Sequence, residues 1–195
     1  MIDLAAGSVA RVVQGDIIRD VEYVEYVAEK DGILEISRIV FPLAIVLTQD
    51  CDLEWDPRLR SEEAKNQDKL LLSALLAPIY TAAHVYAGEH LTDLGLRMAT
   101  INEKRSPGEY LRNNERPRYH YLDLPAGIQI APSVIDFKHY FSAHIKYLVE
   151  LRKRNRVCTL SPLFREDVTQ RFSNFLARVG LPEPSVAPRA TESAK

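Results

Sequence analysis

Small polar residues from Thr48 to Asp52 follow directly on an aliphatic run that begins at Phe41. They place a hydroxyl, an amide, a thiol and a pair of carboxylates side by side. A continuous aliphatic run that starts near Pro42 predicts a strand buried on both faces, so the polar group lies at its carboxyl end. Because such exits often carry functional groups, Asp50 is a candidate for proton transfer. The alternative is that these carboxylates form Asx turns that end the strand.

A second candidate region is the polar segment 102–118, in which five basic residues outnumber three acidic ones. The triplet Tyr119-His120-Tyr121 adds aromatic surface directly after it. Single-stranded nucleic acid is bound by such combinations, because phosphates pair with the cations and bases stack on the rings. The predicted nucleic-acid-binding residues of this region are Arg112, Arg116, Tyr119 and Tyr121. The alternative is a solvated loop followed by a strand.

The densest positive charge of the chain lies at Arg152-Lys153-Arg154-Asn155-Arg156. Runs of this kind are usually solvated, but they also produce a local positive field that attracts phosphates. We therefore add Arg152, Lys153 and Arg154 to the predicted nucleic-acid-binding residues.

Composition excludes several classes of protein. The 195 residues have a formal net charge of -2, so there is no global electrostatic reason to expect a polyanion partner. Neither a membrane span nor a signal peptide is evident, which predicts a cytoplasmic protein. Cys51 and Cys158 are too few for a disulfide framework or a four-thiolate zinc site. No metal or cofactor is predicted, since His84 and His90 do not share a helix face.

The elements around these residues begin with a β-hairpin. Residues 17–27 are rich in β-branched and aromatic side chains with an imperfect period of two, which predicts a strand with a bulge. Asp31-Gly32 predicts a tight turn, and residues 33–40 alternate as the returning strand. Pro42 is predicted to separate this strand from the central one.

Further along the chain the patterns are less regular. Residues 54–68 are mostly charged and predict an exposed connection. The Leu/Ala run 69–77 stops at a proline and predicts a buried strand. Residues 80–94 favour an interrupted helix, and residues 118–124 alternate as another strand.

The clearest helix runs from Pro162 to Val179. Ser161 is a natural N-cap, and proline suits the first helical position. Apolar residues recur every three or four positions and form one face, which we expect to pack on the sheet. Residues 182–195 have the composition of a disordered tail, so residues 1–181 are predicted to form a single globular domain.

Taken in chain order, four segments resemble those of the MazF/PemK/CcdB-like toxin barrel family, of which the chain looks like a distant and enlarged relative. The matching pieces are Gly15-Asp16-Ile17, Pro42 to Thr48, Leu75 to Thr81, and the C-terminal helix from Pro162. The resemblance covers the strand order of about half the chain. It implies a mostly β (α+β) fold, namely a small SH3-like curved β-barrel with insertions and a C-terminal helix. It also implies an antitoxin as a protein partner, and a homodimer.

The resemblance carries catalytic roles over only in part. In the ribonuclease members, an arginine just before the strand's proline and a hydroxyl residue after a later strand serve catalysis. Thr81 matches the hydroxyl residue, whereas Phe41 stands where the arginine is expected. Arg38 or Arg118 is then the candidate substitute for the missing cation.

Two hypotheses of function follow. The first is a toxin-like endoribonuclease acting on single-stranded RNA, in which metal-free cleavage needs proton transfer and a cation for the developing charge. Asp50 or His120 would move protons, Arg118 would stabilise charge, and Thr81 would position the phosphate. The second is a non-catalytic binding or regulatory module on the same barrel, favoured by the missing arginine, the acidic net charge and the long insertions.

Two lower-ranked alternatives involve Cys51. It could act as a nucleophile paired with His120, but the carboxylates on either side of it disfavour a thiolate. Alternatively Asp50, Cys51, Asp52 and His120 could hold a metal, although their spacing does not support it.

Overall fold

The computed structural model describes residue 4 and residues 11–61, 67–103 and 111–178. The predicted tail 182–195 lies outside the described residues, and the helix predicted to run to Val179 ends at Leu176, with Ala177 as its C-cap. The described part of the chain contains seven strands and four α-helices. In chain order these are β1 (Asp16–Lys30), β2 (Ile33–Val46), α1 (Asp50–Ser61), β3 (Ser73–Thr81), α2 (Ala82–Ala87), β4 (Tyr119–Leu122), β5 (Ser133–Asp136), β6 (Phe141–His144), α3 (Ile145–Asn155), β7 (Arg156–Thr159) and α4 (Pro162–Leu176).

The strands form one antiparallel sheet in the order β4-β5-β3-β2-β1-β7. β5 pairs with the second half of β3 and β6 with its first half, because a short 3-10 turn at Phe137–His139 interrupts what would otherwise be one strand. The α+β, mostly β fold class is therefore confirmed. The closed SH3-like barrel is not, since the sheet is open between β4 and β7 over the described residues.

The predicted β-hairpin is confirmed, and it is long. β1 and β2 stay paired from Ile17 opposite Ile45 to Lys30 opposite Ile33, with the predicted bulge between Val24 and Tyr26. The turn residues Asp31-Gly32 have φ values of 54° and 75°, as a tight hairpin turn requires.

Pro42 does not separate two strands, contrary to prediction, because β2 runs through it. Leu43 and Phe41 on either side of it pair with Arg19 and Val21 of β1. Asp20, which lies opposite the proline, takes a φ of 54° and leaves the ladder at that point. The missing N–H of proline is therefore accommodated without ending the strand.

Two helices were not predicted. Residues 54–68 were expected to form an exposed connection, but α1 covers the first part of this stretch and includes Pro57. Since Leu53 is the one large aliphatic residue that α1 buries, no apolar period marks the helix. Its acidic first turn and basic last turn complement the helix dipole instead. Similarly, Arg152, Lys153 and Arg154 of the basic cluster form the last turn of α3, whereas Arg156 begins β7.

The predicted C-terminal helix is confirmed as α4, which packs on one face of the sheet. Val168 and Phe172 are its buried residues, and the Phe172 ring lies 5.5 Å from that of Phe137 in the 3-10 turn. α3 covers the other face, where Ile145 and Leu148 join a second apolar cluster. Among the described residues, none of the helices is both long and apolar enough to cross a membrane.

Candidate ligand-binding cleft

A cleft of about 830 Å³ opens between the base of the hairpin and the segment that follows β3. Arg19, Pro42 and Leu43 form one wall. The end of β3, α2 and the loop 88–101 form the other, and residues 129–131 close one end. Ligand sites of proteins typically have volumes of about 300 to 1,000 Å³, so the cleft is large enough for a small organic molecule or one nucleotide.

The loop 88–101 is held in place by backbone hydrogen bonds at both ends. Met98 N donates to Gly88 O at 3.0 Å, and Ile101 N donates to Tyr86 O at 2.8 Å. Gly88, the C-cap of α2, has a φ of 73°, and a Cβ placed on it would lie 2.2 Å from the Met98 carbonyl oxygen. The close approach of the loop to α2 therefore needs a glycine at this position.

Replacing Gly88 with alanine is expected to lower the free energy of unfolding by at least about 2 kcal/mol, since positive φ alone costs a side chain about 1 to 2 kcal/mol. Gly95→Ala is the matched control: Gly95 has a φ of 71°, but no atom of the described residues lies within 4 Å of a Cβ placed on it. Urea denaturation of both variants measures the difference. Equal losses would contradict the proposed close approach.

Two buried polar side chains line the cleft without a hydrogen-bond partner among the described residues. They are the Tyr80 hydroxyl and the His90 imidazole. The His90 side chain is fully buried, and its ring lies 5.2 Å from that of Tyr80. Burial raises the pKa of Tyr80, which keeps the phenol protonated as a donor. Because unpaired buried polar groups are costly, these two groups are suited to receive a ligand's polar atoms.

Behind His90 lies a buried carboxylate, Asp136, which organises this end of the site. Arg118 binds it with both nitrogens, Nε at 2.8 Å and Nη2 at 2.6 Å, and His139 Nδ1 lies 2.8 Å from it. Burial alone would raise the pKa of Asp136, but the hydrogen bonds from Arg118 and His139 outweigh it and hold the pKa below its usual range. His90 Nε2 is 3.6 Å from this anion, too far for a direct hydrogen bond. Asp136 therefore remains ionised and holds the Arg118 and His139 side chains in place.

The rim of the cleft carries charges of both signs. Arg19 and Arg97 are exposed, and within the described part of the chain neither forms an ion pair. Glu89 and Asp93 also line the rim. The formal charges at the rim therefore cancel.

A second groove, of about 550 Å³, lies on the other side of α2 and shares Thr81 with the cleft. Tyr86, Tyr121 and Arg112 line it. The Arg112 guanidinium forms an exposed ion pair with Glu103 at 3.4 Å. The two depressions together form a path along α2 that combines aromatic rings with arginines.

Among the predicted catalytic residues, Asp50 is held in a different part of the fold. It begins α1, where Arg11 donates to it at 2.8 and 3.0 Å and Arg165 of α4 lies 3.4 Å away. Burial alone would raise the pKa of Asp50, but Arg11 outweighs this effect and lowers it. A carboxylate held in two ion pairs is a structural link between α1 and α4.

His120, also predicted to transfer protons, is buried. Its ring packs 6.4 Å from that of Phe137, and its Nε2 lies 4.0 Å from Asp167 of α4. Burial, with a smaller contribution from Arg171, lowers the pKa of His120 to about 3. It is therefore neutral at pH 7 and shielded from solvent.

These candidates are not brought together. Asp50 lies against Arg165 and His120 against Asp167, two residues apart on α4 and so on opposite flanks of that helix. Arg118 reaches Asp136, which lies on the sheet face opposite His120 because it pairs with Tyr119. Of the four predicted catalytic residues, Thr81 alone lines the cleft, where its hydroxyl accepts from His84 N at 3.5 Å and caps α2.

The predicted nucleic-acid-binding residues are also dispersed. Tyr119 is buried beneath the Arg118 guanidinium, whereas Tyr121 and Arg112 line the second groove. Arg116 contributes a backbone carbonyl that accepts from Arg171 at 3.2 Å.

The predicted basic cluster divides between the core and the surface. Arg152 is buried and donates to Asp16 at 2.5 Å, which ties α3 to the start of β1. Lys153 pairs with Glu150, and Arg154 is exposed. Arg152 is therefore a core residue, in contrast to the other two.

Sequence reasoning did not select Tyr80, His90, Arg97 or Asp136 as site residues. One signal was available for Asp136: it follows the aliphatic pair Val134-Ile135 directly, the same arrangement that drew attention to Asp50. No protein-family model matches the chain, and no curated protein matches it either.

Proposed function

We propose that the protein is a non-catalytic binding module for single-stranded RNA and that the cleft holds one unstacked base. The observation that carries this proposal is a pair of buried polar groups that form no hydrogen bond among the described residues, the Tyr80 hydroxyl and the His90 imidazole, in a cleft of nucleotide size. Sequence-specific RNA recognition commonly uses bases splayed out of a single strand and hydrogen-bonded along their edges.

The absence of catalysis in this proposal rests on the placement of the candidate groups. Cleavage at a 2′-hydroxyl needs a proton acceptor and a cation within reach of one phosphate. Asp50, His120 and Arg118 lie in separate parts of the fold. Asp50 and Arg118 are held in ion pairs, and His120 is buried. The resemblance to the toxin barrel family stays a prediction, and the proposal does not depend on it.

The rim and the second groove support an RNA strand as the ligand. Arg97 and Arg19 at the mouth can pair with the phosphates that flank the buried base. Tyr121 and Arg112 then lie along the continuing path, where a neighbouring base can stack. With two rim cations, the logarithm of the binding constant should fall against the logarithm of salt concentration with a slope of about -1.4.

The test is fluorescence anisotropy of a labelled, mixed-sequence single-stranded RNA of about 12 nucleotides. Tyr80→Phe is expected to weaken binding about tenfold, since it removes one hydrogen bond to the base. The same change should leave the free energy of unfolding unchanged or raised, because the hydroxyl has no partner in the described part of the fold. Arg97→Ala should reduce the salt slope to about -0.7.

Arg58→Ala is the matched control, because Arg58 is an exposed arginine on α1 that does not line the cleft. Wild-type affinity for this variant and weakened binding for the other two would support the assignment. Equal effects at Arg58 and Arg97 would show non-specific attraction to charge, and unaltered binding by Tyr80→Phe would remove the base pocket.

A further inference from the structure

The hairpin extends beyond the rest of the sheet as an arm. β7 pairs with β1 only at residues 16–18, and β3 pairs with β2 only at residues 44–46. From residue 20 to residue 42, the two strands have each other as their only partners among the described strands. Two-stranded ribbons are marginally stable alone in water, so an arm of this length needs a surface to pack on.

One face of this arm carries five exposed aliphatic side chains. Cross-strand pairing places Val27 opposite Ile36 and Val24 opposite Arg38, which defines the residues that share the face. Its large aliphatic side chains are 49 to 66% exposed: Val24, Val27, Leu34, Ile36 and Val40. We call this set the arm face. Contiguous apolar patches of this kind usually mark interaction sites.

The opposite face of the arm is already used at its base. Tyr23 and Ile39, which pair with each other there, pack against the apolar cluster under α3, and the Tyr23 ring lies 5.5 Å from that of Phe141. The arm is thus anchored by one face, and its arm face points away from the core. Nearer the tip, Tyr26 and Ile33 on this same side are exposed.

We propose that the arm face packs against the arm face of a second copy of this chain, with the two-fold axis along the arm. In this arrangement Ile36 of one copy lies over Val27 of the other, so apolar side chains meet apolar side chains across the interface. Two copies can use one patch in this way because a two-fold interface is self-complementary.

Charged residues on the same side of the arm favour a second copy of the chain as the partner and a parallel direction of the two arms. Arg38 pairs with Glu22 at 3.2 Å near the base of the arm, and Glu29 lies near its tip. Arms running in parallel about the two-fold axis place each Arg38 between its own Glu22 and that of the second copy. Arms running in opposite directions would instead place Glu22 over Glu29, and facing like charges are unfavourable.

The size of the arm face sets the expected strength. Together with Glu22, Glu29 and Arg38 on the same side, the five residues of the arm face make about eight per copy, whereas a standard stable interface uses roughly 20 to 30 per side. A reversible dimer that dissociates on dilution is therefore expected, and a permanent one is not.

Sedimentation velocity of the full chain over a concentration series, from about 1 to 200 μM, tests the proposal. Wild type is expected to shift from monomer to dimer across this range. Ile36→Arg, at the centre of the arm face, should remain monomeric at the highest concentration. Ile33→Arg is the matched control, because Ile33 is an exposed isoleucine of the same arm, at 71% against 54% for Ile36, but lies on its other side.

Exchanging the charges of Arg38 and Glu22 provides a second, independent test that does not alter the apolar surface. Arg38→Glu alone should abolish the dimer, since it places four carboxylates together, and adding Glu22→Arg should restore it. Thermal unfolding of each variant identifies any that fails to fold. A wild type that stays monomeric throughout, or equal dissociation by Ile33→Arg and Ile36→Arg, would overturn the proposal.

Discussion

The Asp136→Asn variant is expected to lose about 3 to 5 kcal/mol of its free energy of unfolding. The Asp136 side chain is fully buried and accepts hydrogen bonds from Arg118, from His139 and from the backbone N–H of Lys138. An amide cannot neutralise the guanidinium, which would then be left in a mostly buried position without its counter-ion. Breaking a buried pair by removing one partner is costly for this reason.

A second variant distinguishes the cost of an unpaired buried charge from the cost of lost packing in the free energy of unfolding. Asp136→Asn combined with Arg118→Met removes both charges and keeps the side-chain volume, so it should cost less than Asp136→Asn alone. Urea denaturation followed by circular dichroism provides the measurement. A loss below about 1 kcal/mol for the single variant would mean that the pair contributes little to stability.

The second large effect concerns pH. His120 has its pKa lowered to about 3 by burial, against an ordinary value of 6.5. The unfolded chain therefore takes up a proton that the folded chain does not, and folding stability falls as pH drops from about 6.5 toward 3. The contribution is about 1.4 kcal/mol per pH unit within that window. Above pH 6.5 this residue should contribute no pH dependence.

His120→Leu should reduce the pH dependence of the free energy of unfolding by the equivalent of about one proton. The groups that face His120 are Asp167, 4.0 Å away and half exposed, and Arg171, which opposes its protonation. Leucine has a similar volume and needs no hydrogen bond, so stability at neutral pH should change little. The test is to measure the free energy of unfolding of wild type and of His120→Leu at pH 7, 6 and 5. Parallel pH profiles would contradict the buried neutral imidazole.

Local patterns predicted the elements whose signal is contained in a few neighbouring residues. The hairpin follows from Asp31-Gly32 between alternating runs, and α4 follows from Ser161-Pro162 and an apolar period. α1 has no such period, because it is held against the rest of the fold by one buried aliphatic residue, Leu53, and by the ion pairs of Asp50. Its existence depends on tertiary contacts that sequence spacing does not reveal.

The candidate site was less predictable for the same reason. Tyr80, His90 and Asp136 come together only because β5 pairs with the second half of β3 and the loop after α2 folds back over them. A carboxylate with nearby polar residues attracts attention in a sequence, as Asp50 did. Only the fold shows that Asp50 is held between two arginines and that Asp136 lies behind an open cleft.

We propose that the cleft binds single-stranded RNA without cleaving it. The most direct measurement follows anisotropy and RNA length in the same sample, with wild-type protein and labelled RNA, in the presence and absence of EDTA. Saturable binding with all of the RNA recovered at full length is the predicted result. Shortened RNA in the presence of EDTA would instead establish a metal-free nuclease, and the absence of binding at low salt would contradict the assignment of the cleft to RNA.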